Sequence, residues 1–205
     1  MATIALFHSV LGPREGVHDA AALLRERGHT VQVVDQYDGR TFDEYESATA
    51  FAESIGYPAL MQRALDASTA IPGRFVTAGF SNGAGMAEFV AASRPADVGG
   101  VLMFSGALPL AMVGEHWPSG VPAQIHYALD DPFRNEAWVA SVAGSVRESG
   151  GVCEVFEYPG AGHVFTDASK TDEFQPEEAR LLWERALAFL ARVDAHPEGY
   201  ADAEG

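Results

Sequence analysis

Apolar positions along the chain follow two rhythms. Six short runs are almost continuously apolar or β-branched: 3–7 (TIALF), 30–34 (TVQVV), 74–80 (RFVTAGF), 100–104 (GVLMF), 123–128 (AQIHYA) and 152–158 (VCEVFEY). Such runs read as strands of a parallel sheet covered on both faces. Between them the period lengthens. Val17, Ala20, Ala21 and Leu24 recur at i, i+3, i+4 and i+7, and Gly28 then stands at a helix stop. Residues 57–70, 82–93 and 136–149 read the same way. Ala179, Leu182, Trp183, Ala186, Phe189, Leu190 and Val193 form the longest stripe. Strands separated by helices imply βαβ units with right-handed crossovers, hence a three-layer α/β domain. That domain is expected over 1–193, with 194–205 (DAHPEGYADAEG) as a flexible acidic tail.

Two stretches are too long for ordinary connections and are read as loops. One runs from Asp35 to Gly56 and carries Tyr37, Arg40, Phe42, Tyr45 and Phe51; the other runs from Ser105 to Gly120 and carries Leu108, Leu110, Met112 and Trp117. Both follow strand ends, the edge where open α/β sheets bind ligands. They are the expected pocket walls.

Composition narrows the class. Thirteen Lys+Arg against 29 Asp+Glu give a formal net charge of −16, which disfavours nucleic acid. Lys170 is the single lysine and sits in a polar loop, which argues against a P-loop or Schiff-base enzyme. One cysteine, Cys153, excludes an internal disulfide framework and a Cys-rich zinc site, and points to a reducing, cytoplasmic setting. It lies within a strand and reads as a buried structural thiol. The first ten residues, MATIALFHSV, lack a basic region, and glycines with Pro109 break the apolar stretch 98–113. Neither a secretory leader nor a membrane span is expected.

The sharpest local signal is Gly79-Phe80-Ser81-Asn82-Gly83, a G-x-S-x-G at the end of an apolar run and the start of a helix. A nucleophilic serine must stand clear of the sheet on a tight turn. Side chains two before and two after would collide where strand and helix converge. The bland alternative is a glycine-rich βα turn without chemistry. A serine hydroxyl also needs a base. Asp130-Asp131-Pro132 follows the fifth strand and His163 follows the sixth, both on the same sheet edge as Ser81 and in the chain order of α/β-hydrolases. Taken singly, the two acids could be a turn pair and His163 a loop histidine. His126 lies mid-strand and reads as hydrogen-bonded core; His8 sits at the mouth of the first strand; His18, His29, His116 and His196 read as surface. No metal-ligand cluster and no cofactor motif is present.

With these segments in place, the chain resembles the dienelactone hydrolase family of α/β-hydrolases. The likeness rests on His8-Ser9-Val10-Leu11-Gly12, on Val34–Phe42 (VDQYDGRTF), on Gly79–Gly83, on His126–Phe133 (HYALDDPF) and on Tyr158–Phe165 (YPGAGHVF). It implies that the acid is Asp131, that the family's first hairpin is absent, and that Val10 joins Asn82 in the oxyanion hole. Three departures stand out. Ser81 replaces the nucleophilic cysteine of members that open dienelactone, and Ser9 replaces a glutamate that couples to it. Asp167 replaces an arginine that holds the substrate carboxylate, so an anionic substrate is expected to be repelled.

The chemistry expected is that of a serine hydrolase. Ser81, Asp131 and His163 form the triad, the backbone N–H groups of Val10 and Asn82 the oxyanion hole, and a small ester or lactone is cleaved through an acyl-enzyme. Pocket candidates are His8, Ser9, Tyr37, Arg40, Met112, Trp117 and Phe165. Two alternatives remain at this stage: acyl transfer or thioester cleavage on the same triad, and a catalytically silent binding protein. Oligomeric state is not legible.

Overall fold

The strand residues alternate between two cores, and that alternation builds the fold. The computed structural model describes residues 1–196. In chain order the elements are β1 (Thr3–Phe7), α1 (Glu15–Glu26), β2 (Thr30–Val34), α2 (Tyr45–Ile55), α3 (Tyr57–Ser68), β3 (Phe75–Phe80), α4 (Asn82–Ser93), β4 (Val98–Phe104), α5 (Leu110–Val113), β5 (Ala123–Ala128), α6 (Glu136–Glu148), β6 (Cys153–Tyr158) and α7 (Pro176–Ala195). The strands form one sheet in the order β2-β1-β3-β4-β5-β6. Every pairing is parallel.

Ile4, Leu6, Val76, Ala78, Leu102 and Phe104 point to the face covered by α1 and α7. Their neighbours Ala5, Phe7, Val101, Met103, Ile125 and Tyr127 point to the face covered by α2, α3, α4 and α6. A period of two on strands with both faces buried yields the continuously apolar runs seen in the sequence. This is the three-layer α/β-hydrolase fold, with six parallel strands. After β1 the chain turns first to β2 on one side and then to β3 on the other. The crevice at this switch lies between the carboxyl ends of β1 and β3.

Two corrections concern the stretches read as loops. The segment 35–56 contains α2, and 105–120 contains the short α5. Tyr45, Ala48, Ala52 and Ile55 do recur at helical spacing, and Ala48 and Ala52 are fully buried, but the aromatic content masked that stripe. Only Gly56, at φ 89°, separates α2 from α3, a conformation that glycine adopts without strain. The last helix also extends past the expected boundary at 193, and Asp194 pairs with the amino terminus at 2.5 Å. The rest of the tail expected to be flexible, beyond His196, lies outside the described residues. Among the described residues no helix is long and apolar enough to cross a membrane.

Candidate active site

Ser81 occupies the turn between β3 and α4 at φ 54° and ψ −120°, a strained conformation for a residue with a side chain. The flanking glycines are sterically required. A Cβ on Gly79 would lie 2.0 Å from the Gly83 carbonyl oxygen, and one on Gly83 would lie 2.4 Å from that of His8. Backbone bonds hold the turn: Ser81 N–H donates to Phe104 O at 2.7 Å, and Ala84 N–H to Ser81 O at 2.9 Å. The segment after β4 packs directly on it, since a Cβ on Gly106 would fall 2.2 Å from Ser81 O.

The other two candidates converge on this serine. His163 Nε2 lies 2.7 Å from Ser81 Oγ, and His163 Nδ1 lies 2.7 Å from Asp131 Oδ2. A carboxylate only accepts, so Nδ1 carries the proton and Nε2 is left to accept from the serine hydroxyl. Asp131 Oδ1 accepts the Phe133 N–H at 2.8 Å, which satisfies its second oxygen. Asp131 and His163 are buried, whereas Asp130 is exposed. The structure thus selects Asp131 as the acid that meets the histidine.

Two neighbours that sequence reasoning did not single out, Glu173 and Gln175, brace the histidine loop. Glu173 accepts from the Tyr45 hydroxyl at 2.9 Å and from Val164 N–H at 2.8 Å. Gln175 accepts from Gly162 N–H at 3.0 Å and donates to Pro159 O at 2.7 Å. The Tyr45 and Phe133 rings flank the His163 imidazole, with centroids 5.7 and 4.6 Å away. Phe133 stays half exposed beside the catalytic edge. Its place two residues after the acid was the only signal in the sequence. Burial and the adjacent Glu173 push the Tyr45 phenol up, so it remains a neutral donor.

The oxyanion candidates are also free to act. Val10 N–H has no acceptor among the described residues. Asn82 N–H opens α4 and so lacks an intrahelical acceptor. Phe7 and Gly79 are register partners on β1 and β3, which places the two segments side by side.

Most of the pocket candidates fall elsewhere. Trp117 is buried and donates its indole N–H to Val121 O at 2.9 Å; Phe165 is buried against Tyr158 at 5.3 Å. Both belong to the core and offer no surface to a substrate. Tyr37 is buried, with its ring edge-on to His8 at 4.6 Å. Its hydroxyl lacks a hydrogen-bond partner, and burial, opposed by the nearby Asn82 amide, raises the phenol to about 12. Ser9 is buried and its hydroxyl accepts from Leu11 N–H at 3.2 Å. Arg40 lies over the Phe51 ring at 5.0 Å. His8 is buried beneath the edge rather than lining it. Of the seven, only Met112, on α5, and Arg40 are well exposed.

Asp167 does not present a free charge. Its Oδ2 accepts from Arg14 Nε at 3.2 Å, and its Oδ1 accepts from Ser169 N–H at 2.9 Å and from Ser169 Oγ–H at 2.6 Å. Asp167 is therefore an ion-paired acid, although it shares Arg14 with Asp43. Arg14 also donates to Phe42 O at 2.8 Å and Asp43 at 2.6 Å, joining the segments after β1, β2 and β6. Elsewhere, His126 sits fully buried between Tyr158 Oη and Gln124 Oε1 at 2.8 and 3.1 Å. Burial, with Arg185 nearby, drives its pKa down to about 3. Cys153 is a buried free thiol pushed up by burial to about 12, which makes it inert as a nucleophile. Among the described residues no group of three His, Cys, Asp or Glu is placed to hold a metal ion.

Known structures share this architecture. A dienelactone hydrolase-like promiscuous phosphotriesterase from metagenomic libraries superposes with a TM-score of 0.78 at 19% identity, covering 94% of this chain and 87% of that one. A protein designated m3DLH gives 0.74 at 21% identity, with 93% and 86% covered. Dienelactone hydrolase from Anabaena variabilis gives 0.63 at 19% identity, with 97% and 87% covered. At such identities the likeness concerns the fold. No curated protein gives a significant match. The profile of the dienelactone hydrolase family, however, matches residues 2–194, nearly the whole chain, and to that family this protein belongs.

Proposed function

We propose that this protein is a serine hydrolase that cleaves small ester- or lactone-type substrates through an acyl-enzyme on Ser81. Family membership makes it a hydrolase of ester-type bonds acting on a small molecule. The observation that carries the finer reading is the single imidazole bridging Ser81 and Asp131 with 2.7 Å on each side.

In the proposed cycle His163 Nε2 takes the Ser81 proton as Oγ attacks the substrate carbonyl. Asp131 holds the imidazole in the tautomer that leaves Nε2 free, and stabilises the imidazolium that forms. The negative charge on the carbonyl oxygen meets the Val10 and Asn82 amides, donors already oriented before the charge develops. His163 then protonates the departing alkoxide, and the alcohol leaves. A water, deprotonated by the same nitrogen, attacks the acyl carbon; the proton returns to Ser81 as the acid is released. No cofactor takes part. Phe133 beside His163 and Met112 on α5 offer exposed apolar surface, which suits an apolar acyl or alcohol group. The solitary free thiol supports a reducing, cytoplasmic setting.

The test is active-site labelling with a fluorophosphonate, mapped by peptide mass spectrometry, alongside turnover of p-nitrophenyl esters, lactones and thioesters. Label on Ser81, and loss of roughly 10⁶ in turnover in Ser81→Ala, are expected. Undiminished hydrolysis by that variant refutes the reading.

A further inference from the structure

We propose that His8 is a positioning residue of the oxyanion hole, aiming the Val10 N–H by holding the carbonyl of the same peptide unit. The inference rests on the serine-hydrolase reading above and adds to it a residue on which that reading does not depend.

The argument begins with the His8 ring nitrogens. Gln36 N–H reaches His8 Nε2 at 3.0 Å, and a backbone amide can only donate, so Nε2 accepts and carries no proton. The neutral ring must then carry its proton on Nδ1. That nitrogen lies 2.7 Å from Ser9 O, an atom that can only accept. Both contacts require the same tautomer. The ring is about 1% exposed and wedged against Tyr37, and burial lowers its pKa, which keeps it neutral.

Ser9 O is thus pinned by two donors, His8 Nδ1–H and, from the other side of the turn, Gly12 N–H at 3.0 Å. Ser9 C=O and Val10 N–H belong to one planar peptide unit, and no peptide bond among the described residues is cis. In a trans unit the two groups point in opposite directions. Fixing the carbonyl therefore fixes the amide, and this amide is the one without an acceptor. The electrostatic gain from an oxyanion donor depends on its being oriented before charge develops. His8 supplies that orientation from β1, while Gln36 anchors the other edge of its ring to the segment after β2. The residue touches no substrate; it acts through the peptide it holds.

Two isosteric variants separate this role from a general structural one. In His8→Asn the side-chain NH₂ occupies the place of Nδ1 and keeps the donor to Ser9 O, while the acceptor for Gln36 is lost. His8→Gln does the reverse. Each is compared with the wild type in p-nitrophenyl acetate hydrolysis and in the affinity of a trifluoromethyl ketone, which forms a tetrahedral oxyanion on Ser81. The matching methyl ketone, which stays trigonal, serves as the comparison ligand. His8→Asn is expected to stay within about tenfold of wild-type kcat/KM. His8→Gln should lose on the order of 10²-fold in kcat with KM little changed, as for loss of one oxyanion donor. Its affinity for the fluorinated ketone should fall by the same factor and that for the methyl ketone should not. The proposal is overturned if His8→Gln matches or exceeds His8→Asn, or if both ketones weaken alike. A wild-type protein that forms no adduct with the fluorinated ketone would instead refute the serine-hydrolase reading itself.

Discussion

Glu88 offers a quantitative test of how the segment over the nucleophile is held. It lies on α4, two turns beyond Ser81, and is fully buried. One carboxyl oxygen accepts the Leu108 N–H at 2.9 Å; the other has no partner. Burial, opposed only by the Leu108 bond, raises the pKa from 4.5 to about 8. Between those values the folded protein keeps a proton that the unfolded chain has released. Stability from this group is therefore full below about pH 4.5, falls as pH rises toward about 8, and is flat above. At about 1.4 kcal/mol per pH unit the whole effect is about 5 kcal/mol, of which about 3–4 kcal/mol falls between pH 5 and 8. Glu88→Gln keeps an oxygen for Leu108 and cannot ionise. Urea unfolding of both proteins across that range cancels the other titrations in the difference. The variant should gain on the wild type by about 3–4 kcal/mol from pH 5 to pH 8. Parallel pH profiles would refute the reasoning. The nearby Tyr127 and Cys153, both raised by burial, titrate above this window and do not confuse the result.

Other consequences follow from the same contacts. Asp131→Asn retains an acceptor for Phe133 N–H but turns an NH₂ toward His163, favouring the wrong tautomer. Stopped-flow or steady-state kinetics should show kcat down by about 10⁴ with little change in thermal midpoint. Gly83→Ala drives a methyl group to 2.4 Å from His8 O and 2.7 Å from Phe7 O, both backbone. Calorimetry should show a loss of about 3 kcal/mol or more, accompanied by lost activity. Arg14→Met strands the buried Asp167 carboxylate, and denaturant unfolding should show a loss of about 3–5 kcal/mol. Adding Asp167→Asn should recover part of it. Full additivity of the two changes would contradict the pairing.

Much of this site is written locally. The elbow, the acid and the histidine are each a short segment at the end of an apolar run, so pattern and turn chemistry place all three on one edge. The two glycines of the elbow follow from a steric demand between adjacent elements, which a sequence displays directly. Asp131 is different. Choosing it over Asp130 rested on resemblance until the contact with His163 Nδ1 showed which carboxylate turns inward.

The pocket shows where local reasoning ends. An aromatic residue after a strand can face the crevice or the core, and only packing decides. Trp117 and Phe165 went inward because burying each ring against a core cluster removes a large apolar surface from water. His8 looked like a pocket residue because it stands at the mouth of β1. Its ring instead turned under the edge, where Gln36 and the Ser9 carbonyl satisfy both nitrogens. Asp167 was an unopposed acid until Arg14, 153 residues earlier, was brought to it by the fold.

The sequence by itself therefore determined the class of the fold, the family and the three segments that carry Ser81, the Asp130–Asp131 pair and His163. These depend on period, on turn residues and on chain order, all of which are local. Tertiary structure alone decided the identity of the braces, the pinning of the Ser9–Val10 peptide and the pairing of Asp167 with Arg14. Each of those requires a hydrogen bond or ion pair between segments distant in the chain, and the partner of a side chain is set by packing rather than by its neighbours in sequence.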